Sequence, residues 1–143
     1  LFATKDDGSV ISGSVKGSDN IWVNLDVSIE KPDKNLMIGY AVYTRGKTLL
    51  FFTYTGDAPS KNKLDLSKGR TTLKGLIPRY LLNEGEYRVA AVASIHNKFW
   101  IYEPADFNNP AINLRIDGGL SHAEYWEGPR EGFLAPDIEW RQS

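Results

Sequence analysis

Cysteine is absent from the 143 residues, which removes disulfides, thiolate nucleophiles and thiolate metal ligands at once and fits a reducing compartment. No sign of charge dominates: 17 Lys and Arg stand against 18 Asp and Glu. Without a basic excess or an arginine-rich stripe there is no long-range field to gather a polyanion, and nucleic acid is not an expected partner. No apolar run approaches the roughly 20 residues that cross a bilayer as a helix, and no charged segment followed by an apolar one opens the chain as a secretory leader would. The phosphate-cradling pattern Gly-x-x-x-x-Gly-Lys-[Ser/Thr] is missing, so this stretch does not hydrolyse ATP by that route. Internal repeats and low-complexity tracts are missing too. The chain opens at Leu1-Phe2-Ala3 without an initiator Met, as a piece of a longer protein would.

What is present is β-pattern. The length suits one domain spanning 1–143, and 41% hydrophobic with 24% charged residues is the balance of a chain that folds. Ile21, Val23, Leu25, Val27 and Ile29 alternate with Trp22, Asn24, Asp26, Ser28 and Glu30, a half-buried strand by its period of two. Lys31 to Lys34 turns the chain at Pro32-Asp33. Residues 36–43 and 49–52 are apolar runs joined through Arg45-Gly46 and predict an antiparallel hairpin. The polar stretch 56–63 is a loop, and 70–76 is a strand ending at Ile77-Pro78. A turn or single helical turn fills 79–83. Tyr87, Val89, Ala91, Ala93 and Ile95 alternate with Arg88, Ala90, Val92, Ser94 and His96 in a central strand. Residues 99–102 and 111–116 complete the set, and Gly118-Gly119 ends it. Short strands punctuated every ten or so residues, with no amphipathic helix, predict an all-β, two-sheet antiparallel β-sandwich, with a closed barrel as its rival. The segment 118–143, rich in Gly, Pro and aromatics, either wraps the sandwich or exchanges with a partner.

Catalytic chemistry finds little support. Asp6-Asp7 and Glu84-Gly85-Glu86 are neighbouring acids in turns, whereas glycosidase carboxylates flank a bond from separate elements at about 5–10 Å. Gly8-Ser9 and Ser12-Gly13 lack the strand-to-helix setting of a nucleophile elbow. His96 and His122 are the two histidines, too few for a metal site unless they converge with carboxylates, and His96 suits a capping or ligand-bonding role. The expectation is therefore no catalytic residue, no metal and no cofactor in this domain. Aromatics remain: Trp22, Trp100, Trp126, Trp140 and seven tyrosines. Sugar rings pack their C–H faces on such rings while their hydroxyls bond to Asn, Asp, Arg and His. Trp22 lies on the polar side of the cleanest strand beside Asn24, Arg88, Ser94 and His96 lie opposite an apolar set, and Asn113 shares a face with Arg115. Those seven are the candidate carbohydrate-binding residues, forming a shallow platform provided their strands share a sheet. The alternative is a scaffold in which the aromatics are buried.

Several stretches in order carry a resemblance: the strand at Trp22, Gly39-Tyr40-Ala41-Val42-Tyr43, Gly46-Lys47, Leu81-Leu82-Asn83-Glu84-Gly85-Glu86-Tyr87, Phe133-Leu134-Ala135-Pro136 and Trp140. Together they resemble the C-terminal domain of Wzt-type proteins, the ATP-binding subunits of bacterial ABC transporters that export O-antigen polysaccharides. The resemblance implies an immunoglobulin-like or jelly-roll sandwich at the cytoplasmic face of the inner membrane. Its ligand would be the O-antigen polysaccharide, recognised at a modified non-reducing end, and it would form a homodimer of the kind in which the C-terminal strand can be exchanged. ATP and Mg²⁺ would belong to a separate ATPase domain, absent from this stretch of chain, that also contacts the membrane permease. An anionic terminal group would put the weight on Arg88 or Arg115, a neutral one on Trp22 and Asn24.

Overall fold

The computed structural model describes residues 1–59, 64–118, 130–136 and 138–142. Nine strands are found among them: β1 (Phe2–Thr4), β2 (Ser14–Lys16), β3 (Ile21–Ile29), β4 (Leu36–Thr44), β5 (Leu49–Tyr54), β6 (Gly69–Ile77), β7 (Gly85–Ile95), β8 (Phe99–Tyr102) and β9 (Ala111–Asp117), with a single 3₁₀ turn at Thr55–Asp57. They form a three-stranded sheet, β1-β3-β6, and a six-stranded sheet, β2-β9-β7-β4-β5, in which β8 pairs the far half of β7. Two separate sheets make a sandwich and not a barrel, and every strand anticipated from periodicity is there. β1 and β2 were not anticipated, since three residues are too few to show a period. One pairing departs from the antiparallel expectation: β2 runs parallel to β9, Ser14 opposite Arg115.

Alternation decides what lies between the sheets. Ile21, Val23, Leu25 and Ile29 of β3 meet Leu36, Ile38, Tyr40 and Val42 of β4 and Tyr87, Val89, Ala91 and Ile95 of β7 in one buried cluster, each large aliphatic side chain contributing about 1.5–3 kcal/mol. Tyr40 is buried to 2% exposure, and its hydroxyl donates to the Leu76 carbonyl at 3.0 Å. Its ring fills the space over Gly75, where an added Cβ would lie 2.4 Å from Tyr40 Cε1. Residues 130–135 pack on the body. Leu82 pairs Leu134, Asn83 Nδ2 donates to the carbonyls of Arg130 (2.5 Å) and Gly132 (2.6 Å), and the Tyr87 hydroxyl donates to those of Asn83 (2.8 Å) and Phe133 (3.0 Å). Residues 130–135 thus pack against the stretch from Leu81 to Tyr87.

Candidate functional site on the outer face of the larger sheet

The outward positions of β7 and β9 are set side by side by register: Arg88 opposite Asn113, Glu86 opposite Arg115. β4 brings Tyr43 opposite Arg88 on the other flank, so Arg45, just past the end of β4, reaches Glu86 at 3.2 Å. The parallel β2 closes the opposite edge with Ser14 beside Arg115. Between them is an open groove of about 700 Å³ lined by Ser12 to Ser14, Thr44, Arg45, Lys47, Glu86, Arg88, Phe107, Asn113, Arg115 and Asp117, among others. Four of these side chains are cationic (Arg45, Lys47, Arg88, Arg115) and two anionic (Glu86, Asp117), an excess of two positive charges.

Each charge in the groove is held differently. Arg115 Nε donates to Asp117 Oδ1 at 3.0 Å, which holds the guanidinium pKa above its ordinary value. The Asp117 carboxyl lies below the usual range, first through its bond with the Ser14 side chain and then through Arg115. Both groups are exposed, so water screens the pair and an incoming ligand can rearrange it. Arg88 is half-buried: Nη2 donates to the carbonyls of Phe107 (2.9 Å) and Asn109 (3.3 Å), while its buried Nε has no partner. Those carbonyls belong to the loop between β8 and β9. Its Ala105 N–H donates to Tyr43 Oη at 2.7 Å, and Asn109 Nδ2 donates to the carbonyls of Glu103 (2.8 Å) and Ala91 (3.3 Å). The Phe107 ring packs 5.5 Å from that of Tyr43 over Ala41, Ala90 and Val92, with Lys47 Nζ 4.8 Å from its centroid. The loop therefore lies across the middle of the face, with the groove on one side and Ser94 on the other.

The seven candidate residues do not converge. Trp22 and Asn24 are on β3, in the smaller sheet, whose outer face points away from that of β7 and β9. Asn24 is 1% exposed, and its Nδ2 is occupied by Thr4 Oγ1 (3.1 Å) and the Trp22 carbonyl (2.9 Å); its place on the polar side of the alternation did not mean exposure. Trp22 is half-buried and its indole N–H donates to Asp6 Oδ1 at 2.8 Å. Arg88, Asn113 and Arg115 do come together in the groove. Ser94 is buried, and His96 is exposed just beyond the end of β7. Sequence reasoning missed Arg45, Lys47, Glu86 and Asp117. Arg45 and Lys47 read as turn residues, and Lys47 does occupy a left-handed turn position, φ 67°; only the strand register turns them into groove lining. His122 and Trp126 lie outside the described residues. Among the described residues no group of three or more His, Cys, Asp or Glu could hold a metal ion, and no helix is long and apolar enough to cross a membrane.

At the level of sequence, neither a family model nor a curated protein matches the chain. Structure is more informative. The solved structure described as the crystal structure of the C-terminal domain of Wzt superposes with a TM-score of 0.66 at 14% identity, covering 99% of this chain and 80% of that one. The chain has the Wzt C-terminal fold. At 14% identity the likeness is one of fold alone, and the groove is read from this chain's own residues.

Proposed function

We propose that this domain binds the polysaccharide carried by an O-antigen ABC exporter and takes no catalytic part. The observation that carries the reading is an open, cation-rich groove on the outer sheet face of a chain that follows the Wzt C-terminal fold over 99% of its length. Among the described residues Arg45 and Arg115 are held by the exposed carboxylates of Glu86 and Asp117, so a ligand phosphate or carboxylate can take either guanidinium in a bidentate pair. Asn113 and Ser14 stand beside them for hydroxyls. With Asn24 buried and the Trp22 N–H engaged, an anionic group on the glycan suits this chain better than a neutral one. Nucleotide chemistry, and contact with the membrane permease at the cytoplasmic face, would fall to a separate ATPase domain. Ile138 and Trp140, 61% and 90% exposed, favour a second copy of the chain as a further partner.

The test is titration of the domain with polysaccharide from its own source, comparing intact chains with chains trimmed at the non-reducing end. Binding of intact chains alone, at a dissociation constant of about 10–1000 μM for so open a groove, is the expected outcome. Equal binding would mean recognition of the repeat unit, and no binding to either would leave a scaffold domain.

A further inference from the structure

We infer that the other half of the same outer face, beyond the β8–β9 loop, is a second glycan contact: a ledge of Phe52, Tyr54 and Trp100 that stacks against the C–H face of a neutral pyranose ring. The inference rests on the glycan reading above and extends it. Phe52 and Tyr54 project from β5 opposite Ala41 and Gly39, and Trp100 from β8 opposite Ser94. β4 and β7 lie between β5 and β8, so the backbones are three strand spacings, about 14 Å, apart. The Tyr54 and Trp100 ring centroids are nevertheless 6.4 Å apart with planes within 30°. Both rings therefore lean over the intervening strands, their planes tilted by only 30°. Phe52 borders Tyr54 at 5.2 Å and 63°.

The floor beneath is kept low. Gly39 and Val92 pair across β4 and β7, and a Cβ at Gly39 would fall 1.7 Å from the Thr53 carbonyl oxygen, so no side chain can rise there. Phe52 is 44% and Trp100 43% exposed. A lone exposed aromatic needs no explanation, but adjoining ones on one sheet face mark a contact. None of the three carries charge, which suits an uncharged sugar unit, in contrast with the groove. Arg88 and Ser94 are six residues apart on the same side of β7, about 20 Å, so a polymer seated in the groove reaches the ledge by passing over the β8–β9 loop. His96, exposed two residues after Ser94, offers ring nitrogens for hydroxyls.

The experiment is calorimetric titration of the 143-residue chain and its Trp100→Ala, Trp100→Phe and Tyr54→Ala variants with polysaccharide from its own source, alongside melting curves and sedimentation. Trp100→Ala should weaken binding about tenfold, the equivalent of 1.4 kcal/mol, and Trp100→Phe by less than about threefold, with melting unchanged because the ring is exposed. Polysaccharide bound equally by wild type, Trp100→Ala and Tyr54→Ala overturns the ledge and leaves the groove reading in place. No binding even by the wild type overturns both. A variant that alters sedimentation but not affinity makes the ledge a protein contact and overturns the inference.

Discussion

Tyr40 puts one phenol at the centre of an apolar sandwich, and its titration follows from that position. Burial pushes its pKa up to about 12 because the phenolate would lose its water. In the unfolded chain the same group ionises near 10, so the native state binds the proton more tightly between those values. The stability this confers is complete below pH 10 and is lost as pH rises through 12, about 2–3 kcal/mol in all. Tyr54 and Tyr87 are displaced in the same direction, again chiefly by burial, so alkaline loss is shared. Tyr40→Phe separates the shares. It should cost about 1 kcal/mol at neutral pH through the lost bond to Leu76, then lose distinctly less than wild type between pH 10 and 12. Denaturant titrations at pH 8 and 11.5 read both effects; parallel losses in the two proteins would mean that Tyr40 does not carry the alkaline term.

At the level of elements, periodicity fixes strands and a turn fixes what returns to them. β3, β4, β7 and β9 were legible because each shows several residues of alternation or a long apolar run. β1 and β2 were not, being three residues each, and the parallel pairing of β2 with β9 joins positions about 100 residues apart, which no local pattern encodes. Asn83 illustrates the same gap. In the sequence it sits in a turn before β7; in the fold it is 2% exposed and fastens the carbonyls of Arg130 and Gly132 while accepting from the Glu84 N–H at 2.9 Å. Asn83→Ala leaves those buried groups unpaired and should cost about 2–3 kcal/mol. The loss should be local. Hydrogen exchange at the Ala135 N–H, which bonds to the Leu81 carbonyl, and at the Asn83 N–H, which bonds to that of Phe133, should accelerate, while the amides of β4 and β7 keep their protection. Uniform acceleration would instead make Asn83 part of the global core.

Over the whole molecule, alternation reveals which side of a strand a residue occupies but not which sheet the strand joins. The seven candidates form one platform only if their strands share a sheet; β7 and β9 meet that condition for Arg88, Asn113 and Arg115, whereas β3 carries Trp22 and Asn24 in the other sheet. The assembled charge shows the same dependence on topology. The chain carries a net charge of -1, yet register gathers Arg45, Lys47, Arg88 and Arg115 around one groove against Glu86 and Asp117. A polyanion therefore feels little attraction at a distance and a positive field only on contact. Raising salt from 0.1 M to 1 M shortens the screening length from about 10 Å to about 3 Å, which spares direct hydrogen bonds but removes the support of neighbouring cations. Affinity for an acidic or phosphorylated polysaccharide should fall on the order of tenfold over that range. Arg115→Gln, at an exposed position that the fold does not need, should weaken binding at 0.1 M and flatten the dependence without moving the melting temperature. A flat salt profile in wild type, with Arg115→Gln binding normally, would show that the glycan enters the groove through its hydroxyls alone; a steep profile that Arg115→Gln leaves unchanged would shift the anion toward Arg45 and Lys47 at the β4–β5 turn.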